Sequence, residues 1–364
     1  MAGLSIPLIG SAMSNRPNGE AEHPWTLQTG SNKKLGIALV GLGGYSTGQL
    51  APALLQTEHC YLAGIVTGTP TKIATWQQRY KIPDKNIYSY DNFDSIKDNP
   101  DIDIVYVVLP NSMHAEYTIR AAKAGKHVIC EKPMALSVSD CDAMIEACKK
   151  ADKMLSIGYR LHFEPYNLEM ARLGTSNEYG ALQSIEAGFG FTLGDPNQWR
   201  VKKALSGGGP IQDVGIYCIN AICYTSGKMP TRVRATEGPK TDLTRFKEVE
   251  QSASWEFELP GKIIVKAKTS YSENYNFLTA QAARGTFALT SAYNYGGQKG
   301  YTPAGDMQFA AVNQQAKQMD DFAWCILNNK PTKVPGQLGR RDVYLIQSIY
   351  EAMQTGKSIK LKKI

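Results

Sequence analysis

Between Lys34 and Gly158 the chain alternates largely apolar runs with amphipathic stretches. The runs are Lys34–Val40 (KLGIALV), Cys60–Val66 (CYLAGIV), Ile102–Leu109 (IDIVYVVL), Lys126–Cys130 (KHVIC) and Lys153–Gly158. Apolar runs of this length, without strict alternation, predict strands covered on both faces, as in a parallel sheet. Thr71–Tyr80, Asn92–Lys97, His114–Lys123 and Asp140–Lys150 read as helical between them, the last capped by Ser137, Ser139 or Asp140. The order predicts an α/β fold: a right-handed, doubly wound parallel sheet of the Rossmann type with six strands, five of them being these runs.

Behind Leu182 the pattern changes to short, often alternating segments separated by turn signals such as Pro260-Gly261. Ser184–Thr192, Arg232–Thr236, Ser252–Phe257, Lys262–Thr269, Asn276–Ala280 and Gly285–Leu289 read as strands, and Asn313–Asn329 and Gly339–Thr355 as helices. This predicts a C-terminal α+β domain with an open, mainly antiparallel sheet, whose last helix returns to the Rossmann half. An open sheet face needs cover, and a homodimer or homotetramer formed through it is expected. A chain of 364 residues also exceeds what one core supports, roughly 250–300 residues. The expected division is an N-terminal arm (1–33), a dinucleotide-binding domain (34–158) and a substrate and dimerisation domain (159–364).

Charge narrows the choice of partners. The net charge of +7 is spread over short pairs such as Lys33-Lys34, Lys202-Lys203 and Lys362-Lys363. A nucleic-acid binder would carry a clustered basic stripe, so no nucleic acid is expected. No run of eighteen apolar residues occurs, so no membrane helix is expected either. Seven cysteines without a CxxC pair argue against a disulfide framework and a zinc site, and no His/Asp/Glu/Cys cluster has metal spacing. Ala2–Ser14 reads as the back half of an export signal or as an unstructured terminus, and the compartment, cytoplasm or periplasm, stays open.

The first strand runs into Gly41-Leu42-Gly43-Gly44-Tyr45-Ser46 and then a helix. Glycine at the first position allows a tight turn, and at the second lets a pyrophosphate approach the backbone at a helix N-terminus. Ser46 replaces the third glycine of the fingerprint, and its small side chain preserves close helix–strand packing. Many NAD enzymes end the second strand with an acid that binds the ribose 2′-hydroxyl. Here the strand ends in Thr67-Gly68-Thr69-Pro70-Thr71-Lys72. Hydroxyls and a lysine suit a 2′-phosphate, which predicts NADP. Ligands of such sheets bind at the carboxyl ends of the strands, which also places Pro110–His114, Glu131–Pro133 and Tyr159–His162 at the site.

Leu109-Pro110-Asn111-Ser112-Met113-His114, Ala124-Gly125-Lys126-His127-Val128 leading to Glu131-Lys132-Pro133, Gly158-Tyr159-Arg160, and Gly207-Gly208-Gly209-Pro210-Ile211-Gln212-Asp213-Val214-Gly215-Ile216-Tyr217 carry a resemblance. From about Lys34 onward the chain resembles the glucose–fructose oxidoreductase and inositol dehydrogenase family. Tyr217, where many members have histidine, places it nearest the glucose–fructose and aldose–aldose oxidoreductase branch. The resemblance implies NADP that can stay bound between turnovers, an N-terminal arm that helps to hold it, and monosaccharide substrates.

Oxidation of a sugar at C1 needs a base for the hydroxyl proton and a positive group to hold that oxygen. A free phenol, with a pKa of about 10, is too weakly acidic for this work at neutral pH, and a nearby ammonium favours its ionised form. Lys132 and Tyr217 are the expected pair. Asp213, four residues before Tyr217 on one helical face, is the third catalytic candidate, with Gly207–Gly209 as a flexible entrance. On the cofactor side are expected Gly41, Gly43, Gly44, Tyr45, Ser46, Thr67, Gly68, Thr69, Lys72, Leu109, Pro110, Asn111, His114, Glu131, Lys132, Arg160, Trp199 and Arg200. His162 is a further contributor, and Tyr293, Tyr295 and Tyr301 are candidates for a sugar face. The expected activity is oxidation of an aldose to its lactone, with the hydride passed through retained NADP to a second sugar. A simple NADP-dependent aldose dehydrogenase and a non-catalytic nucleotide or sugar sensor are the alternatives.

Overall fold

The computed structural model describes residues 33–363. The predicted arm and the apolar run at Ala2–Ser14 lie outside that range, apart from Lys33.

Strands β1 (Leu35–Val40), β2 (Cys60–Val66), β3 (Ile87–Tyr88), β4 (Ile104–Val107), β5 (His127–Cys130) and β6 (Leu155–Ile157) form a parallel sheet in the order β3-β2-β1-β4-β5-β6. The order reverses between β2 and β4, on either side of β1, which opens a crevice beyond the strand ends. Every residue of β1 is buried, as its uninterrupted apolar run requires. The crossovers are a π-helical turn (Ser46–Leu50) continued by α1 (Ala51–Leu54), then α2 (Ile73–Tyr80), α3 (His114–Lys123) and α4 (Val138–Lys150). The Ser137 hydroxyl caps α4 by accepting from the Asp140 amide at 3.1 Å.

The second half begins with α5 (Pro165–Ser176), β7 (Leu182–Gly190), α6 (Lys203–Ser206), a second π-helical turn (Ile211–Gly215) and α7 (Ile216–Ser226). It continues with β8 (Arg232–Glu237), β9 (Ser252–Leu259), β10 (Ile263–Ser270), β11 (Tyr275–Ala282), β12 (Gly285–Leu289), β13 (Gly300–Thr302) and β14 (Gly305–Asp306). Helices α8 (Gln314–Leu327) and α9 (Gly336–Thr355) and strand β15 (Ile359–Lys360) complete it. The nine-stranded sheet has the order β14-β13-β12-β11-β7-β10-β9-β8-β15. It is antiparallel except where β10 runs parallel to β7. Along β9 and β10 burial alternates, so one face packs on α7 and the core while the other is polar and open.

From Lys34 onward both sheets belong to one compact unit, and the two last helices show why. Ala316, Met319, Phe322 and Ala323 of α8 pack into the apolar cluster of β1, β2 and α1. The Asp320 carboxylate accepts from the amides of Glu58 and His59 at 2.8–3.0 Å. Helix α9 lies against α4 and β6, and a side chain at Gly339 would come within 2.8 Å of Met134. Among the described residues no helix is long and apolar enough to cross a membrane.

Candidate active site

A cavity of about 770 Å³ opens where the carboxyl ends of the parallel strands face the second sheet, and its lining comes from both halves. One wall is the glycine run. Gly41 has φ +93°, and a side chain there would meet the Val108 carbonyl oxygen at 2.5 Å, so only glycine fits. Ser46, the residue in place of the third glycine, is fully buried and donates its hydroxyl to the Gly41 carbonyl at 2.5 Å. The substitution thus ties the loop to itself. Gly43 and Gly44 are different: a Cβ added at either would meet nothing within 4 Å. Their backbone faces open space at the start of a helix, where unpaired amides and the positive dipole end favour an anion.

The end of β2 supplies Thr67, Thr69 and Lys72 to the same cavity. The Lys72 ammonium bonds the Leu42 carbonyl at 2.8 Å, which moors it to the glycine run. No carboxylate stands in Thr67–Lys72. Tyr90, which the sequence did not mark, forms the adjoining wall, and its ring occupies the space a Gly68 side chain would need.

At the other end of the cavity, Lys132 and Tyr217 converge. The Lys132 ammonium lies 4.7 Å from the centre of the Tyr217 ring. It donates to the Asp213 carbonyl at 2.7 Å and stands 3.6 Å from the Asp213 carboxylate. The Asp213 carboxylate also accepts from Arg200 at 2.8 Å and from the Tyr271 hydroxyl at 3.1 Å. Burial pushes the Asp213 carboxyl up, but Arg200 and Lys132, with the two hydrogen bonds, outweigh it and hold the group below the usual carboxylate range. Glu131 is the opposite case. Burial raises it despite the hydrogen bond from the Tyr106 hydroxyl at 2.7 Å.

Arg160 brings a second cation to Tyr217. Its guanidinium carbon is 5.1 Å from that ring and 4.3 Å from the ring of Tyr295. The residue is 2% exposed and donates to the carbonyls of Tyr293 and Asn294 and to the Gln314 side chain. Tyr295 stacks on Tyr45 with ring centres 5.9 Å apart, so the glycine run and the second half touch across the cavity. Leu109, Pro110 and Asn111 line it too, and the Asn111 amide reaches the Ser206 carbonyl at 2.8 Å. Trp199 lies under Arg200 at 4.8 Å.

Five expected residues stand elsewhere. His114 does not line the cavity: its two ring nitrogens lie 2.8 Å from the carbonyls of Leu109 and Pro133, bracing the two loops that do. Ser46 and Gly68 are packed behind the lining rather than in it. His162 bonds Asn220 at 2.9 Å, inside the protein. Tyr301 sits half-exposed on β13, away from the cavity, unlike Tyr293 and Tyr295. The glycines at 207–209 are not a flexible entrance either. Gly207 has φ +79° with Leu136 against it, and side chains at Gly208 and Gly209 would strike the Tyr350 hydroxyl at 1.9 Å and the Glu250 carbonyl at 2.3 Å. The predicted single helix behind them opens with the π-helical turn Ile211–Gly215, a feature that recurs at functional sites.

Comparison with known proteins agrees with this geometry. Residues 35–159 match the oxidoreductase family with NAD-binding Rossmann fold, and residues 167–288 match the GFO/IDH/MocA C-terminal domain. The crystal structure of aldose-aldose oxidoreductase from Caulobacter crescentus, complexed with glycerol, is 41% identical, with a TM-score of 0.88 over 90% of this chain and 100% of that one. This chain belongs to the GFO/IDH/MocA oxidoreductase family. Two further family relatives are a D-xylose 1-dehydrogenase [NADP(+)] of Haloarcula marismortui and a D-xylose 1-dehydrogenase (NADP(+)) 2 of Haloferax volcanii. The first is 25% identical over 93% of this chain and 96% of its own length, the second 25% over 89% and 99%. As a member of the family the protein is an oxidoreductase, and its cofactor is a nicotinamide dinucleotide. The cavity fits that group: open space beside Gly43 and Gly44 for the diphosphate, hydroxyls and a lysine at the end of β2 for the adenosine ribose, and Lys132 with Tyr217 for the reacting end.

Proposed function

We propose that this protein is an NADP-dependent sugar oxidoreductase that oxidises an aldose at C1 to its lactone and passes the reducing equivalent, through retained NADP, to a second sugar. The observation that carries this reading is the meeting of Lys132, from the first half, with Tyr217, from the second, in the cavity that Gly43 and Gly44 open onto. Thr69 and Lys72 would hold the 2′-phosphate, and Gly41–Tyr45 the diphosphate. The nicotinamide, when bound, supplies hydride acceptance and donation. Tyr217 takes the proton from the sugar hydroxyl as the C1 hydrogen leaves, and returns it in the reverse step to the second sugar. Lys132 and Arg160 flank that phenol, so charge that develops on the sugar oxygen forms beside two cations. Asp213, kept ionised by Arg200 and Lys132, holds the Lys132 ammonium in place and is a hydrogen-bond acceptor for a sugar hydroxyl. Tyr293 and Tyr295 offer ring faces for the apolar side of a pyranose.

The similarity to aldose-aldose oxidoreductase favours the retained cofactor. The similarity to two D-xylose 1-dehydrogenases favours a second reading, in which NADP is released after each turnover. Both readings are preferred to a non-catalytic sensor by family membership and by the convergence of Lys132, Asp213 and Tyr217. A panel of aldoses mixed with the protein as purified, with the bound nicotinamide followed at its reduced-form absorbance, tests the first reading. Lactone formation without added nucleotide is expected. Protein that carries no nicotinamide, and turns sugar over only with free NADP, would establish the second reading instead.

The open face of the nine-stranded sheet fits pairing with a second copy. It carries Phe277 and Ile264 among cross-strand ion pairs, Lys266–Glu256 at 3.7 Å and Arg232–Glu258 at 3.6 Å. A dimer in sedimentation equilibrium, dissociated by Ile264→Glu, is the expected result.

A further inference from the structure

Lys132 is held by a backbone atom. Its ammonium donates to the carbonyl of Asp213, inside the turn that leads into α7. Its place beside Tyr217 therefore depends on whatever fixes that turn. The turn has an anchor at its entrance, and the anchor is Glu250.

Glu250 lies just before β9 and is 5% exposed. One carboxylate oxygen accepts from the Gly209 amide at 2.9 Å; the other accepts from the Ile211 amide at 3.1 Å and from the Tyr350 hydroxyl of α9 at 2.9 Å. Amides at a helix entrance have no partner within the helix and carry the positive end of its dipole. The carboxylate satisfies two of them at once. The absent side chains at 208 and 209 make the approach possible, since a Cβ at Gly209 would lie 3.1 Å from the Glu250 carboxyl carbon and one at Gly208 would overlap the Tyr350 hydroxyl. A buried carboxylate costs stability unless it is well bonded. Here two of its bonds hold the entrance of the turn, and the third, from Tyr350, ties the carboxylate to α9.

We propose that Glu250, supported by Tyr350, is a positioning residue for the reaction: it fixes the Ile211–Gly215 turn so that the Asp213 carbonyl meets Lys132 and Tyr217 faces the same ammonium. The inference rests on the reading of Lys132 and Tyr217 as the reacting pair. In Glu250→Gln the amide nitrogen has to face a backbone N–H, and one anchor bond is lost. In Tyr350→Phe only the phenol bond is lost.

The test uses both variants of the full chain with three measurements: steady-state kinetics on the best sugar of the panel, NADP affinity, and acetylation of Lys132 by an N-hydroxysuccinimide ester, read by peptide mass spectrometry against the exposed Lys149. Glu250→Gln is expected to lower kcat about tenfold with the sugar KM and NADP affinity nearly unchanged, since positioning acts on the oriented state rather than on binding. Lys132 should be acetylated several-fold faster as its tether loosens. Tyr350→Phe should move both measurements in the same direction, by about two- to threefold, as one neutral bond is removed. Wild-type kcat and wild-type Lys132 labelling in a folded variant would overturn the proposal. So would a fall in kcat matched by an equal fall in NADP affinity, which marks general loss of structure. If Glu250→Gln does not fold, Tyr350→Phe decides by the same criteria. If the wild-type protein turns over no sugar, the reaction reading fails, and Lys132 labelling still decides the role of Glu250.

Discussion

Two glycine-rich runs each lead into a helix through a π-helical turn, yet only the first lines the cavity, and they serve opposite ends. At Gly41–Ser46 the space beyond Gly43 and Gly44 is open. At Gly207–Gly209 the same kind of space is filled by Leu136, Tyr350 and Glu250. Both present helix-entrance amides that need an acceptor. In the proposed reading the first run leaves them for the diphosphate of the cofactor, and the second gives them a carboxylate of its own chain. Glycine in one run leaves open space and in the other makes room for an anchor. The comparison teaches that a glycine pattern specifies absence of side chain, and that only the surroundings decide what enters the gap.

The sharpest way to separate the two runs is through the chemistry that follows the filled one. Tyr217→Phe should cut turnover by about 10²–10⁴-fold, the range for a lost acid–base group, while the affinity for NADP measured by fluorescence titration stays as in the wild type. Retained turnover would remove the helix behind Gly207–Gly209 from the reaction. Gly43→Ala probes the open run. It should weaken NADP binding about tenfold, roughly 1.4 kcal/mol, with no fall in melting temperature, because the added methyl group meets only the ligand. Gly208→Ala should do the reverse. Overpacking against the Tyr350 hydroxyl should cost about 1–3 kcal/mol in thermal or urea unfolding, with NADP affinity little changed. If the two alanine variants gave the same pattern, the distinction between an open and a filled run would collapse. The smallest effect concerns pH. Arg200 is the foremost cation holding Asp213 below its usual range, so Arg200→Gln should raise that carboxyl. Ionised Asp213 would then be lost at higher pH on acidification, and the acid limb of kcat/KM should move to higher pH. A limb that stays in place would mean that the Asp213 charge is not needed.

The elements that could be read in advance are those whose pattern is self-sufficient. Leu35–Val40 and Cys60–Val66 are long apolar runs, and their strands match the prediction within a residue. Ile87–Tyr88, strand β3 of the parallel sheet and the one the apolar runs did not name, has two residues and carries no periodicity of its own; its pairing with β2 defines it. The same holds for the short pairs at 300–302, 305–306 and 359–360. At the site, the glycine fingerprint and the Thr67–Lys72 stretch were legible because their chemistry is local. The meeting of Lys132 with Tyr217 came from the family resemblance. Glu250 was not legible: it stands in a stretch of mixed charge and ordinary appearance, and its partners lie 39–41 and 100 residues away. His114 was misplaced for a related reason. Its neighbours in sequence border the cavity, but its ring turns inward to two carbonyls.

Arg160 has a consequence for how the protein moves. Its guanidinium grips main-chain oxygens of residues 293 and 294 and the Gln314 side chain, so two remote segments are riveted to the end of the nucleotide-binding sheet. Parting the two halves like a clamshell would strip a buried charge of every one of those acceptors together, at a cost of several kcal/mol. The walls of the cavity are therefore pinned to one another, and in the proposed reading a sugar would enter through its mouth rather than by separation of its walls.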